Sequence, residues 1–150
     1  MTIQTSKTLH VDIETYCELD LTKTGVYAYA AHPSFDILLF AYAYDNEEVT
    51  VVDLFEDTIP SKVIDDLFNP RIIKVAHNAS FEMTCLSEYF QQRVDPKQWL
   101  CTMALAMHNG LPGSLSALSS VLDLEQQKMS VGTTLINYFS FKRWLFQETD

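Results

Sequence analysis

Residues 37–44 read Ile-Leu-Leu-Phe-Ala-Tyr-Ala-Tyr, an unbroken run of apolar and aromatic side chains. It is far short of the ~18 residues that a membrane helix needs. As a strand it puts apolar groups on both sides of the sheet, so it demands cover on both faces. The other periodic segments have to supply that cover. Leu9, Val11 and Ile13 alternate with His10 and Asp12, the period of a strand that ends at Glu14-Thr15. Asp45-Asn46-Glu47-Glu48 makes a turn, and Val49 to Leu54 reads as the partner strand of a hairpin.

Helical patterns follow. Residues 16–23 read as a polar loop, and residues 25–31 as a short helix closed by His32-Pro33. Pro60 opens a helix through Phe68, with Val63, Ile64, Leu67 and Phe68 at helical spacing, and Asn69-Pro70 stops it. Residues 71–76 form a short buried strand. From Ala79 on, Phe81, Cys85, Leu86, Tyr89 and Phe90 fall on one helical stripe, with Asn78 at the N-cap position. After Asp95-Pro96 the pattern predicts helices over 99–109 and 114–122, the second capped by Ser114, and another over 131–141. Strands interleaved with helices predict an α/β domain with a layered sheet.

The 150 residues fit one domain over 1–150, and 47% hydrophobic with 20% charged residues is globular composition. Cys17, Cys85 and Cys101 are odd in number and lack a CxxC pair, so neither a disulfide framework nor a zinc site is expected. Reduced thiols, a polar N-terminus without a signal-peptide core, and no long apolar run predict a cytoplasmic protein without a membrane segment. The net charge of -10 argues against a protein that grips nucleic acid by charge alone, but a carboxylate cluster that holds cations also makes a chain acidic.

Two segments carry possible chemistry. Asp12-Ile13-Glu14-Thr15 puts two carboxylates on one face of a strand at its C-terminal end, where they repel unless water or a cation compensates. Hard oxygen ligands suit Mg²⁺ or Mn²⁺. Taken alone, the pair reads as a solvated strand end. In Ala76-His77-Asn78-Ala79-Ser80-Phe81-Glu82 a strand runs into a helix, and Glu82 lies one turn inside it. The carboxyl ends of strands in open α/β sheets are where ligands bind. Taken alone, Asn78 reads as a helix cap and Glu82 as a favourable first-turn charge.

Together the two segments resemble the DEDD 3′–5′ exonuclease superfamily, most closely the proofreading exonuclease domains of phage A-family DNA polymerases. Gly25-Val26-Tyr27-Ala28-Tyr29-Ala30, Leu100-Cys101-Thr102-Met103-Ala104, Gly110-Leu111-Pro112-Gly113-Ser114-Leu115 and Leu135-Ile136-Asn137-Tyr138-Phe139-Ser140 add to the likeness, which runs from about Thr8 to Ser140. The resemblance implies an RNase H-like mixed sheet flanked by helices. It implies that Asp12, Glu14 and Glu82 are catalytic and hold two divalent cations, Mg²⁺ or Mn²⁺, roughly 3.5–4 Å apart. It also implies that Thr15, Asn78 and His77 meet the substrate, a single-stranded DNA 3′ end from which nucleoside monophosphates are removed. Glu82 stands where most of the superfamily has aspartate. Tyr16 and Phe81 are candidates to stack on bases, with core packing as the alternative for Phe81.

The resembled family has a fourth carboxylate on a late helix, with a Tyr or His a few residues before an Asp. Here Tyr89 is followed by Arg93, Tyr138 by Lys142, and His108 by Leu111-Pro112-Gly113. Only Phe146 to Asp150 has the spacing, with Phe in place of Tyr. The expectation is a fold truncated at its C-terminus, without the third motif or a polymerase domain, whose metal binding and activity are weakened. It would come from a phage or prophage and act beside the rest of a DNA polymerase. The alternative is a non-catalytic RNase H-like module that binds a polymerase partner or single-stranded nucleic acid.

Overall fold

The computed structural model describes residues 7–124. The chain divides into two compact units, residues 1–105 and 106–150. The first holds a five-stranded sheet in the order β3-β2-β1-β4-β5. β1 (Thr8–Tyr16) is antiparallel to β2 (Asp36–Tyr44), which is antiparallel to β3 (Thr50–Asp53). β4 (Ile73–Ala76) runs parallel to β1, and β5 (Trp99–Cys101) parallel to β4. Helices α1 (Leu21–Thr24), α2 (Val26–Ala30), α3 (Ser61–Phe68) and α4 (Ala79–Tyr89) accompany the sheet, and α5 (Thr102–His108) follows β5. This is the mixed, helix-flanked α/β sheet that the sequence predicts.

The alternation read in β1 is real. Leu9, Val11 and Ile13 are buried, whereas His10 and Asp12 are exposed. The three apolar side chains join Ile37 and Phe40 of β2, Val63 and Leu67 of α3, and Cys85 and Leu86 of α4 in one core. Each large member stabilises the fold by roughly 1.5–3 kcal/mol relative to exposure. β1 and β2 pair from Leu9–Tyr44 to Tyr16–Asp36, with a break where Glu14 faces Leu39 but Thr15 faces Ile37. Leu38 is therefore the extra residue of a bulge, which re-aims the end of the ladder beside Glu14 and Thr15. Lys74 of β4 is 1% exposed, yet its ammonium donates to the carbonyls of Asn69 and Ile72, each at 2.9 Å. Those bonds make a buried charge tolerable.

Several elements differ from the prediction. β1 continues to Tyr16 because Thr15 and Tyr16 still find partners across the bulge. The Asp20 side chain accepts from the Thr22 amide and caps α1, inside the segment read as a loop. Gly25, at φ 77°, separates α1 from α2 in a conformation that a side chain would strain. Residues 99–101 are a strand and not the start of a helix, because they pair with Lys74, Val75 and Ala76. Three residues are too few for periodicity to tell strand from helix. Asn78 occupies the N-cap position of α4 but makes no side-chain cap bond, since its own backbone is left-handed at φ 66°, ψ 47°.

In the second unit, α6 (Leu115–Val121) begins as predicted, with the Ser114 hydroxyl accepting from the Ala117 amide. The helix expected over 131–141, and Phe146 to Asp150, lie outside the described residues. Among the described residues no helix is long and apolar enough to cross a membrane.

Candidate active site

Sheet register sets where the carboxylates stand. β4 pairs with β1 only from Thr8 to His10, opposite Ile73 to Val75. Asp12 and Glu14 therefore project beyond the last β1–β4 pair, while β4 ends at Ala76 and the chain turns into α4 at Ala79. The turn works because Asn78 takes the left-handed conformation, which Asn tolerates better than most non-glycine residues. The first turn of α4 is thereby brought to the end of β1.

Glu82 is the unusual residue of this junction. It is 3% exposed, and its Oε2 is buried with no hydrogen-bond partner. Burial pushes its carboxyl up to about 8, a backbone hydrogen bond opposes this, and the nearby charge of Asp12 adds to it. Asp12 and Glu82 are thus brought together electrostatically. Such an orphaned buried oxygen beside a second carboxylate is costly unless a proton or a cation meets it. The two carboxylates fit a hard divalent cation in donor chemistry. Among the described residues, no group of three or more His, Cys, Asp or Glu side chains is gathered closely enough to hold a metal.

Glu14, partly buried, contributes to the field at Tyr29 of α2. Thr15 Oγ1 and the Tyr29 hydroxyl share a 3.0 Å hydrogen bond, and the Tyr29 ring packs 6.4 Å from that of Phe81. Phe81 itself packs against the core, the second of its two expected roles. Asn78 is exposed, with its Oδ1 accepting from the Ser80 hydroxyl at 3.2 Å. His77 lies 3.0 Å, through Nδ1, from Thr102 Oγ1 at the start of α5. The structure therefore gives His77 a tie between strand ends.

Two residues of this region carry no sequence signal of a role. Tyr29 sits in a stretch noted only for its likeness, and its link to Thr15 depends on tertiary packing. Cys101 ends β5 beside the starts of both α4 and α5. Burial works against its ionisation, but the amides of Ala104, Ala79, Asn78 and Met103 hold its thiol below the ordinary value. Reading 99–109 as helix concealed that position.

No protein-family profile matches the chain. A DNA polymerase of Bacillus phage SP02 is 47% identical over 135 residues, covering 89% of this chain and 21% of that protein. The chain thus spans about a fifth of the length of this relative. Escherichia coli RNase D, described as an exoribonuclease involved in structured RNA processing, has a similar fold. Its TM-score is 0.57 at 20% identity, over 85% of this chain and 30% of that one. Brucella melitensis NrnC is similar in fold too. With bound Mg²⁺ it gives a TM-score of 0.56 at 15% identity, and bound to pGG 0.58 at 16%, each covering 89% of this chain and 64% of that one. The chain is thus similar in sequence to part of a phage DNA polymerase, and it shares its fold with Escherichia coli RNase D and Brucella melitensis NrnC.

Proposed function

We propose that this chain is a proofreading-type 3′–5′ exonuclease domain of a phage DNA polymerase, cutting nucleoside monophosphates from single-stranded 3′ ends in the cytoplasm of a bacterial host. The observation that carries the reading is the buried Glu82 carboxylate, with an unpartnered Oε2, beside Asp12 at the junction of β1 and α4. The Mg²⁺ and pGG of the NrnC structures support a cation-dependent nuclease that takes short nucleic acid.

In this reading Asp12, Glu14 and Glu82 hold the divalent cations, Mg²⁺ or Mn²⁺. When bound, these ions supply a water of lowered pKa and a counter-charge for the leaving 3′ oxygen. Thr15 meets the terminal nucleotide chiefly through its backbone, since its hydroxyl is engaged with Tyr29. Asn78, exposed before the first turn of α4, would offer its amide to a splayed strand end. His77 holds the β4 end against α5 near the substrate. The burial of Glu82 favours a frayed end over a duplex, and the remainder of a polymerase would deliver that end.

A second reading, a non-catalytic module that binds a polymerase partner or single-stranded nucleic acid, is favoured by one observation. Among the described residues the carboxylates do not close into a group of three. One assay separates the two. A 5′-labelled single-stranded oligonucleotide with Mn²⁺ should be shortened stepwise from its 3′ end, and Asp12→Ala should abolish the ladder. No shortening at high protein concentration, or equal shortening by Asp12→Ala, would leave the binding module as the better account.

A further inference from the structure

The sheet ends at β3, which has β2 on one side and no further strand on the other among the described residues. The Leu54 amide, just past β3, donates to the Leu38 carbonyl of β2 at 3.0 Å. In an antiparallel pair alternate residues share that direction. Thr50 and Val52 therefore turn their backbone groups to β2, and Val51 turns its own to the open edge.

The side chains along this edge are apolar where solvent meets them. Val52 is buried in the core, but Val51 is 59% exposed and Val49, just before the strand, 68%. Phe55, just after it, is 70% exposed. Edges are commonly guarded by lysine, proline or a bulge. Here the flanking charge has one sign. Residues 45–57 hold the acids Asp45, Glu47, Glu48, Asp53, Glu56 and Asp57, all exposed, and no lysine or arginine.

An exposed apolar patch rimmed by polar groups marks an interaction surface, and the rim selects what covers it. Acids repel nucleic acid and anionic lipid. They also repel a second copy of this chain, whose own β3 carries the same acids. The complementary occupant is a protein segment of opposite charge. An open ladder edge takes such a segment as an extended strand, not as a helix.

We infer that β3 is a docking edge for an extended, lysine- or arginine-bearing segment of a partner protein. The segment adds as a strand along Val51, with its apolar side chains on Val49 and Val51 and its cations among the flanking acids. Main-chain bonds supply affinity, and the valines and acids supply selection. β2 separates this edge from β1, so the inference does not rest on the exonuclease reading.

The test uses the whole 150-residue chain and short acetylated peptides, read by isothermal titration at low salt. The probe alternates lysine with valine. One control carries glutamate in place of lysine; another is the lysine peptide N-methylated at alternate amides, which keeps its charge and loses its ladder. The lysine peptide should bind saturably and shift amide resonances of β3 but not of β5. The glutamate peptide should not bind, and the N-methylated one should bind at least tenfold more weakly. Val51→Pro removes the outward amide and spares the bonds of Thr50 and Val52 to β2. It should weaken the lysine peptide about tenfold at an unchanged urea midpoint. Glu48→Gln combined with Glu56→Gln leaves the backbone untouched and should weaken binding several-fold, with a flatter salt dependence. No saturable binding of the lysine peptide up to millimolar, equal binding of its N-methylated form, or full binding by the Glu48→Gln and Glu56→Gln variant would overturn the docking edge. So would a concentration-dependent dimer that Val51→Pro dissolves, which gives the edge to a second copy.

Discussion

At the scale of single residues, Glu82 decides most. Its folded carboxyl holds a proton up to about pH 8, whereas an unfolded glutamate releases it near the ordinary 4.5. Between those values folding takes up a proton, so stability falls as pH rises through the window and is level on either side. In chelator, Glu82→Gln should lack that slope and exceed the parent at pH 8 by on the order of 3 kcal/mol, read from urea midpoints. Equal pH profiles would mean that the carboxyl is solvated. Asn78 is the other decisive residue. Asn78→Gly keeps the left-handed turn and should leave stability unchanged or slightly higher, whereas Asn78→Ala should cost about 1 kcal/mol. A glycine variant as unstable as the alanine one would show that the side chain, and not the backbone, secures the turn. The carboxylates of β1 were legible in the sequence because period two fixes which face a side chain takes. The left-handed Asn78 was not, since N-cap preference and left-handed tolerance draw on the same residue type.

At the scale of elements, α2 is fastened to the end of β1 by one hydroxyl pair, Thr15 with Tyr29, and by ring packing of Tyr29 on Phe35 and Phe81. Tyr29→Phe should lower stability by about 1 kcal/mol and speed amide exchange at Thr15 and Tyr16, because it deletes the bond and keeps the ring. Tyr29→Ala should cost about 3–5 kcal/mol through the cavity it opens. Unaltered exchange in Tyr29→Phe would detach α2 from the geometry of the site. Long periodic elements such as β2, α3 and α4 were readable from sequence, since their side-chain pattern is local. β5 and α1 were not. Three residues with a half-exposed Leu100 become a strand only through parallel pairing with β4, and four residues become a helical turn through the Asp20 cap.

At the scale of the molecule, the order β3-β2-β1-β4-β5 puts β1 at the centre, and Asp12 near its end stands close enough to Glu82 of α4 to act on its carboxyl. That convergence joins residues 70 positions apart, Asp12 and Glu82, and no periodicity foretells it. In the sequence they are linked by the resemblance and by the rule that ligands bind at the carboxyl ends of strands in open α/β sheets. The acidic balance of -10 is consistent with a site that concentrates cations. The chain spans 21% of the length of its phage polymerase relative. In the proposed function, Asp12 and Glu14 of β1 and Glu82 of α4 would hold the cations together. Mn²⁺ titration followed by electron paramagnetic resonance tests it most directly. Saturable binding by the 150-residue chain at pH 8 is expected, lost in Asp12→Ala and Glu82→Gln and weakened at least tenfold in Glu14→Ala. Saturable binding that survives all three substitutions, or no binding by the parent chain, would contradict it.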